Sequence, residues 1–142
     1  FGKPQPAGSK RAFPIRRKNG RTGGAVSDAN PKASGWKTEI SQVAGEEMGD
    51  RTLLVGPLGF QAIFYTPRPQ SHYGSGRNSG KVKESAPLFP SARPDLLKLA
   101  RAVEDALSQV VYRDDSQICD EVLYKRFGEP ARIEVEIWQI DD

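Results

Sequence analysis

The sequence has 142 residues, 37% hydrophobic and 27% charged, which fits one globular domain and excludes a chain disordered throughout. It has no run of about 18 uncharged apolar residues, so a transmembrane helix is excluded. The single cysteine, Cys119, and single histidine exclude an internal disulfide and a Cys/His zinc site, and they fit a reducing cytoplasm. Residues 1–93 hold 15 Lys or Arg and 6 Asp or Glu, whereas residues 94–142 hold 6 and 12. This asymmetry indicates either a polyanionic partner for the first part or two solvated faces of opposite sign.

The first half of the chain predicts a hairpin, a helix and a strand. The Asn-Gly pair inside Lys18-Asn19-Gly20-Arg21 is the strongest short signal for a hairpin turn. Asn30 and Pro31 are typical of a helix start, and apolar residues then recur at helical spacing. An alternating apolar run further on predicts a strand. In chain order these elements are strands at 12–17 and 25–27, a helix over about 32–48 and a strand over about 57–66.

The second half begins with a long stretch without periodicity. Residues 67–94 contain five Pro, three Gly and five Ser, which is typical of a functional or disordered loop. The elements predicted after it are a helix over about 95–109, a short strand at Val110–Tyr112, and strands at Gln117–Arg126 and Arg132–Ile140. The order predicts a small α/β (α+β) domain with one mixed sheet and two main helices packed on it.

Three aspartates lie around the second predicted helix. Asp95 stands at the helix start, where the helix dipole favours an anion, and Asp114 and Asp115 follow the short apolar run. Adjacent aspartates repel each other unless a cation or solvent screens them. Three carboxylates in one place would form a hard oxygen site suited to Mg²⁺ or Mn²⁺. The alternative is an ordinary helix start and a solvated turn, where Asp is common.

The segment from Arg93 to Cys119 carries short motifs in a fixed order. They are Arg93-Pro94-Asp95-Leu96, Lys98-Leu99, Arg101, Asp105-Ala106-Leu107 and Asp114-Asp115-Ser116-Gln117-Ile118. This segment resembles the RusA family of Holliday-junction resolvases. Upstream, Arg68-Pro69-Gln70-Ser71-His72-Tyr73 and the Pro-rich residues 4–11 are similar to stretches of phage-type members. The resemblance covers most of the chain, so residues 1–142 are interpreted as one RusA-like nuclease domain with a long basic loop at 67–94.

The resemblance implies a Mg²⁺-dependent endodeoxyribonuclease, with Mn²⁺ as an alternative ion. Its substrate would be branched DNA, cut as a four-way junction by a homodimer during recombination and repair in a bacterial or phage setting. Asp95, Asp114 and Asp115 would hold the metal. Lys98 and Arg101 would neutralise the negative charge that grows on the phosphorus in the transition state.

Basic residues outside this segment are candidates for contacts with DNA phosphates, which position a duplex without reading its sequence. Each is individually also an ordinary surface charge, and the single histidine fits a loop residue bonded to backbone equally well. The candidates are Lys10, Arg11, Arg16, Arg17, Lys18, Arg21, Arg68, His72, Lys81 and Lys83.

The chain departs from the family pattern at Leu97, where members usually have a second helical aspartate. Asp105 or water could fill the gap, or metal affinity and activity could be reduced. The family's assisting lysine corresponds to Arg101, which keeps the charge but cannot exchange a proton. The rival interpretation is therefore a junction-binding protein with weak or no catalysis. A hydrolase of non-nucleic phosphate esters is disfavoured by the basic first part of the chain.

Overall fold

The computed structural model describes residues 1–7, 10–16, 22–28 and 31–141, with side chains described at 1–7 and 32–141. Several predicted DNA contacts lie outside this range. Arg17, Lys18 and Arg21 are outside the described residues, and the side chains of Lys10, Arg11 and Arg16 are outside the described side chains. The phosphate contacts of these six residues stay predictions.

The two strands of the predicted hairpin are confirmed, whereas its Asn19-Gly20 turn lies outside the described residues. Strand β1 (Lys10–Arg16) pairs antiparallel with β2 (Thr22–Asp28), so that Lys10 lies opposite Asp28 and Arg16 opposite Thr22. Both strands start earlier than the sequence pattern indicated. They form a two-stranded sheet of their own, which is separate from the mixed sheet.

The expected mixed sheet has three strands. Strand β3 (Leu58–Thr66) lies in the centre, parallel to β4 (Ile118–Phe127) and antiparallel to β5 (Arg132–Gln139). The two helices are α1 (Pro31–Met48) and α2 (Leu96–Leu107). A parallel pair needs a long crossover, and the segment containing α2 supplies it between β3 and β4. The fold is therefore the small mixed α/β domain that the sequence predicted.

One face of the mixed sheet packs against the helices. Phe60, Ala62 and Phe64 alternate along β3 and therefore share a face, and all three are fully buried. From α2, Leu99 and Val103 join the same hydrophobic core, together with Trp36 and Ile40 of α1. Because α2 is fixed on the sheet through its apolar side, its opposite side, which carries charged residues, faces outward.

The segment after α2 differs from the prediction. Helix α2 ends at Leu107, and Val110–Tyr112 do not form a strand. The amide of Val111 donates to the carbonyl of Leu107 at 2.9 Å, and the carbonyl of Val111 accepts from Leu54 at 2.8 Å. The run is apolar because Tyr112 is fully buried at the end of the core, and a run of three residues cannot distinguish a buried turn from a strand.

The long loop at 67–94 has no helix or strand of ordinary length, as expected. It contains two 3₁₀ turns, Gln70–His72 and Gly76–Asn78. Backbone hydrogen bonds from Gly74 to Lys81 and from Lys83 to His72 close the stretch that contains the second turn. Among the described residues, the helices are too short or too polar to cross a bilayer.

Candidate active site

The Asp114–Asp115 pair lies on a closed turn immediately before β4. The Asp114 carboxylate accepts a hydrogen bond from the Ser116 amide at 2.8 Å. In return, the side-chain oxygen of Gln117 accepts from the amides of Arg113 at 3.0 Å and Asp114 at 3.2 Å. This reciprocal arrangement is a capping box, and it makes Asp115 the first residue of the short 3₁₀ turn Asp115–Gln117. The sequence predicted the turn, and the structure shows what fixes it.

The two aspartates are electrostatically different although they are neighbours. The hydrogen bonds that Asp114 receives from Ser116 lower the pKa of its carboxyl. Desolvation raises the pKa of Asp115, and the hydrogen bond and charge of Asp114 add to the increase. The charge of Asp105, on α2, acts in the same direction. Asp115 therefore faces other carboxylates, whereas Asp114 faces hydrogen-bond donors.

Two glutamates that sequence reasoning missed, Glu104 and Glu121, interact with these aspartates. Together with Asp105, Asp114 and Asp115 they form what we call the acidic group. Glu104 of α2 is hydrogen-bonded to Glu121 of β4, and its pKa is raised to about 8, first by burial, then by the bond to Glu121 and by the charges of Glu121, Asp115 and Asp105. A carboxyl with this pKa carries a proton at neutral pH. Below it, the fully buried Tyr112 donates its hydroxyl to the Glu104 carbonyl at 2.9 Å. Burial, followed by the charge of Glu104, raises the pKa of this tyrosine.

Asp95 lies at the other end of α2. It is the residue before the first helical turn, is exposed, and its side chain accepts no capping hydrogen bond. With a rise of about 1.5 Å per residue, Asp95 and Glu104 are about 14 Å apart along the helix axis. Lys125 fixes the preceding segment by donating to the carbonyls of Ala92 at 2.7 Å and Pro94 at 3.1 Å. One copy of the chain therefore does not bring Asp95 next to Glu104, which lies beside Asp115.

The outward face of α2 carries the other predicted residues. Leu97 is 73% exposed, and Lys98 and Arg101 are also exposed. Asp105, which could have replaced the missing family aspartate, forms an ion pair with Lys37 of α1 at 2.9 Å. Its carboxylate thus links the two helices, which makes it a poorer substitute for a metal ligand than the sequence indicated.

Comparison with known proteins gives the same family as the sequence motifs. A family model described as endodeoxyribonuclease RusA matches residues 5–138. The chain belongs to the RusA family. A protein of Bacillus subtilis (strain 168), described as "Uncharacterized protein YqaN", is 30% identical over 109 residues, which are 77% of this chain and 75% of that protein. Because this is a family of endodeoxyribonucleases, the acidic group of the chain is a candidate nuclease site.

Three of the predicted DNA contacts of this RusA-family chain have structural partners in the loop or at the end of β4. Arg68 donates to the Pro87 carbonyl at 2.7 Å, and its guanidinium lies 4.3 Å from the centre of the Phe127 ring. The ring of His72 meets the same phenyl ring edge-on, with centroids 5.4 Å apart. Both side chains thus hold the loop against the end of β4. Lys83 donates to the Ser71 carbonyl at 3.0 Å.

The divalent cation implied by the RusA family can be tested against these residues. Among the described residues, no three His, Cys, Asp or Glu side chains form a group that could hold a metal ion. Mg²⁺ in nuclease-type sites is commonly bound by one or two carboxylates, with water and substrate phosphate completing the octahedron. The adjacent carboxylates of Asp114 and Asp115 are hard oxygen donors of this kind. They fit an ion that is shared with a DNA phosphate, and they do not form a complete protein cage.

Proposed function

We propose that the chain is a divalent-metal-dependent endonuclease that resolves four-way DNA junctions. One observation carries the proposal: in a member of an endodeoxyribonuclease family, a capped turn holds the adjacent carboxylates of Asp114 and Asp115, and the charge of Asp115 acts on Glu104 of α2. The excess of Lys and Arg in residues 1–93 supports a polyanionic substrate. The protein would act in the bacterial cytoplasm, and it would be encoded either by the bacterium or by a phage.

The proposed roles follow from the charge of each group. Asp114 and Asp115 would hold the cation, which when bound supplies a water of lowered pKa and polarises the phosphoryl oxygen. Lys98 and Arg101 would balance the negative charge that develops on the phosphate. Glu104 keeps a proton in its hydrogen bond with Glu121, which reduces the negative charge that an approaching DNA backbone meets.

A homodimer gives Asp95 a role that one copy does not. The distance along α2 separates it from the acidic group of its own subunit. In the proposed dimer, a second subunit could bring its own N-terminal end of α2 to this group. Asp95 would then contribute to the site of the partner, and the pair of sites would match the two strands cut in a symmetric junction.

The test is cleavage of a synthetic four-way junction with Mg²⁺, followed strand by strand on a denaturing gel. We expect symmetric nicks that EDTA abolishes. Asp115→Asn should abolish cleavage and keep or tighten junction binding, because a negative charge near the phosphate is removed. The matched control is Asp50→Asn, at an exposed position after α1. Cleavage at the normal rate by Asp115→Asn would remove this residue from the site.

The second candidate is a junction-binding protein without cleavage. Leu97 favours it, because an exposed apolar side chain stands where family members usually have an acidic residue. This function predicts a complex with the junction in EDTA and intact strands in both Mg²⁺ and Mn²⁺. Absence of binding at low salt would exclude both candidates.

A further inference from the structure

Gln117 makes four hydrogen bonds with one side chain. Its oxygen accepts from the amides of Arg113 and Asp114, at 3.0 and 3.2 Å. Its nitrogen donates to the carbonyls of Leu54 at 3.2 Å and Gly56 at 3.1 Å, in the segment that leads into β3. The same amide group therefore closes the aspartate turn and fastens it to a second part of the chain.

Apolar packing does little to hold this turn. Residues 113–116 are exposed, and a cavity of about 540 Å³ is bordered by the turn on one side and residues 53–57 on the other. A turn beside open space depends on directed polar contacts for its position, because no close-packed side chains restrain it. Hydrogen bonds from the Gln117 side chain to the Leu54 and Gly56 carbonyls join the turn to the segment at 54–56.

We propose that Gln117 is the positioning residue for the Asp114 and Asp115 carboxylates of the proposed nuclease. The inference rests on the proposed function, since it concerns the same two aspartates. All four hydrogen bonds of the Gln117 amide go to backbone groups, so it acts by fixing the backbone amides of the turn, and with them the direction of both carboxylates. Groups that orient metal-holding side chains in this way commonly affect metal affinity or activity as strongly as some ligands do.

The experiment compares three variants in junction cleavage and Mn²⁺ binding. Gln117→Leu removes all four hydrogen bonds, whereas Gln117→Glu keeps the two acceptor contacts and loses the two donor contacts. Gln139→Ala is the matched control, because Gln139 also anchors the segment before β3, by donating to the Val55 carbonyl at 2.8 Å, but does not touch the turn.

We expect Gln117→Leu to lower kcat by about 10- to 100-fold, with a change in KM for the junction below about twofold. Its Mn²⁺ affinity, followed by electron paramagnetic resonance, should fall by a similar factor. Gln117→Glu should recover part of the lost kcat, because it retains the cap on Arg113 and Asp114. Gln139→Ala should leave kcat and Mn²⁺ affinity unchanged. Should Gln117→Leu not fold, the comparison of Gln117→Glu with Gln139→Ala decides the question.

The outcomes separate this inference from the function on which it rests. An unchanged kcat in Gln117→Leu, or equal losses in Gln117→Leu and Gln139→Ala, would overturn the positioning role while the nuclease stands. A wild-type protein that neither cuts the junction nor binds Mn²⁺ would overturn the proposed nuclease, and the positioning role with it.

Discussion

The strongest consequence of the acidic group is a dependence of stability on pH that one substitution should remove. The Glu104 pKa of about 8, against an ordinary value of 4.5, means that the folded chain binds this proton more tightly than the unfolded chain does. Between these two values the folded state carries more protons, so the free energy of unfolding falls as the pH rises. Above about pH 8 both states have lost the proton and this contribution no longer changes. Glu104→Gln keeps a neutral donor to Glu121 and has no proton to lose.

The size of the effect follows from the shift. Moving a pKa from 4.5 to about 8 corresponds to at most about 5 kcal/mol between the ends of this range. Glu104 is only partly buried, so solvent screening reduces the expected effect to about 2 kcal/mol. Because the hydrogen bond to Glu121 and the charges of Glu121, Asp115 and Asp105 all raise the pKa of Glu104, replacing the Glu104 carboxyl by an amide should remove this pH dependence.

The assay is urea unfolding at several pH values from 5 to 9, in EDTA so that no cation contributes. We expect wild type and Glu104→Gln to be equally stable at pH 5, and the variant to be about 2 kcal/mol more stable at pH 9. Glu47→Gln, at an exposed position of α1, is the matched control and should keep the wild-type slope. Parallel curves for wild type and Glu104→Gln would refute the reasoning, because they would show that Glu104 titrates normally.

Three other expectations concern α2 and its neighbours. Leu97→Asp restores the family's acidic residue at an exposed position, so the free energy of unfolding should change by less than about 0.5 kcal/mol. Mn²⁺ affinity and junction cleavage should increase, and a decrease in cleavage would contradict this expectation. Lys37→Met should lower the free energy of unfolding by up to about 1 kcal/mol, because it breaks the ion pair with Asp105, and the loss should shrink in Asp105→Asn, which a double-mutant cycle measures. Mixed dimers of Asp95→Asn and Asp115→Asn subunits should make single nicks if Asp95 acts across the dimer, whereas each variant alone should make none.

The sequence predicted the elements of the fold better than their arrangement. Helix α2 and strand β3 were found because apolar residues recur at 3.6 and 2 residues along them, and burial of one face imposes these periods. The neighbours of β3 were not predictable in this way. Its parallel pairing with β4 and antiparallel pairing with β5 depend on contacts between residues about 60 to 80 positions apart, and no local pattern records them.

The acidic site was predictable only in part. Asp114 and Asp115 were candidates because two adjacent aspartates repel each other unless a cation or solvent screens their charge, and their role in a metal site stays a prediction. Glu121 could not be found, because it meets Glu104 only through the packing of β4 on α2, in which Glu121 lies near Glu104 while Lys125 reaches Pro94. Glu104 itself was within reach of sequence reasoning, since it follows Arg101 by three residues on a helical face and adjoins Asp105.

Leu97 stands at a position where the fold and the proposed function have different requirements. Its side chain is 73% exposed, so the core neither requires nor rejects it, and a polar residue there would be no worse for stability. Its effect is on the charge distribution: without the usual acidic residue, the N-terminal half of α2 carries Lys98 and Arg101, whereas the C-terminal half carries Asp105. A phosphate is attracted to the first half and a cation to the second. If Leu97→Asp increases cleavage, the chain is a nuclease whose site lacks one ligand. If the substitution changes junction binding alone, the chain binds junctions without cutting them.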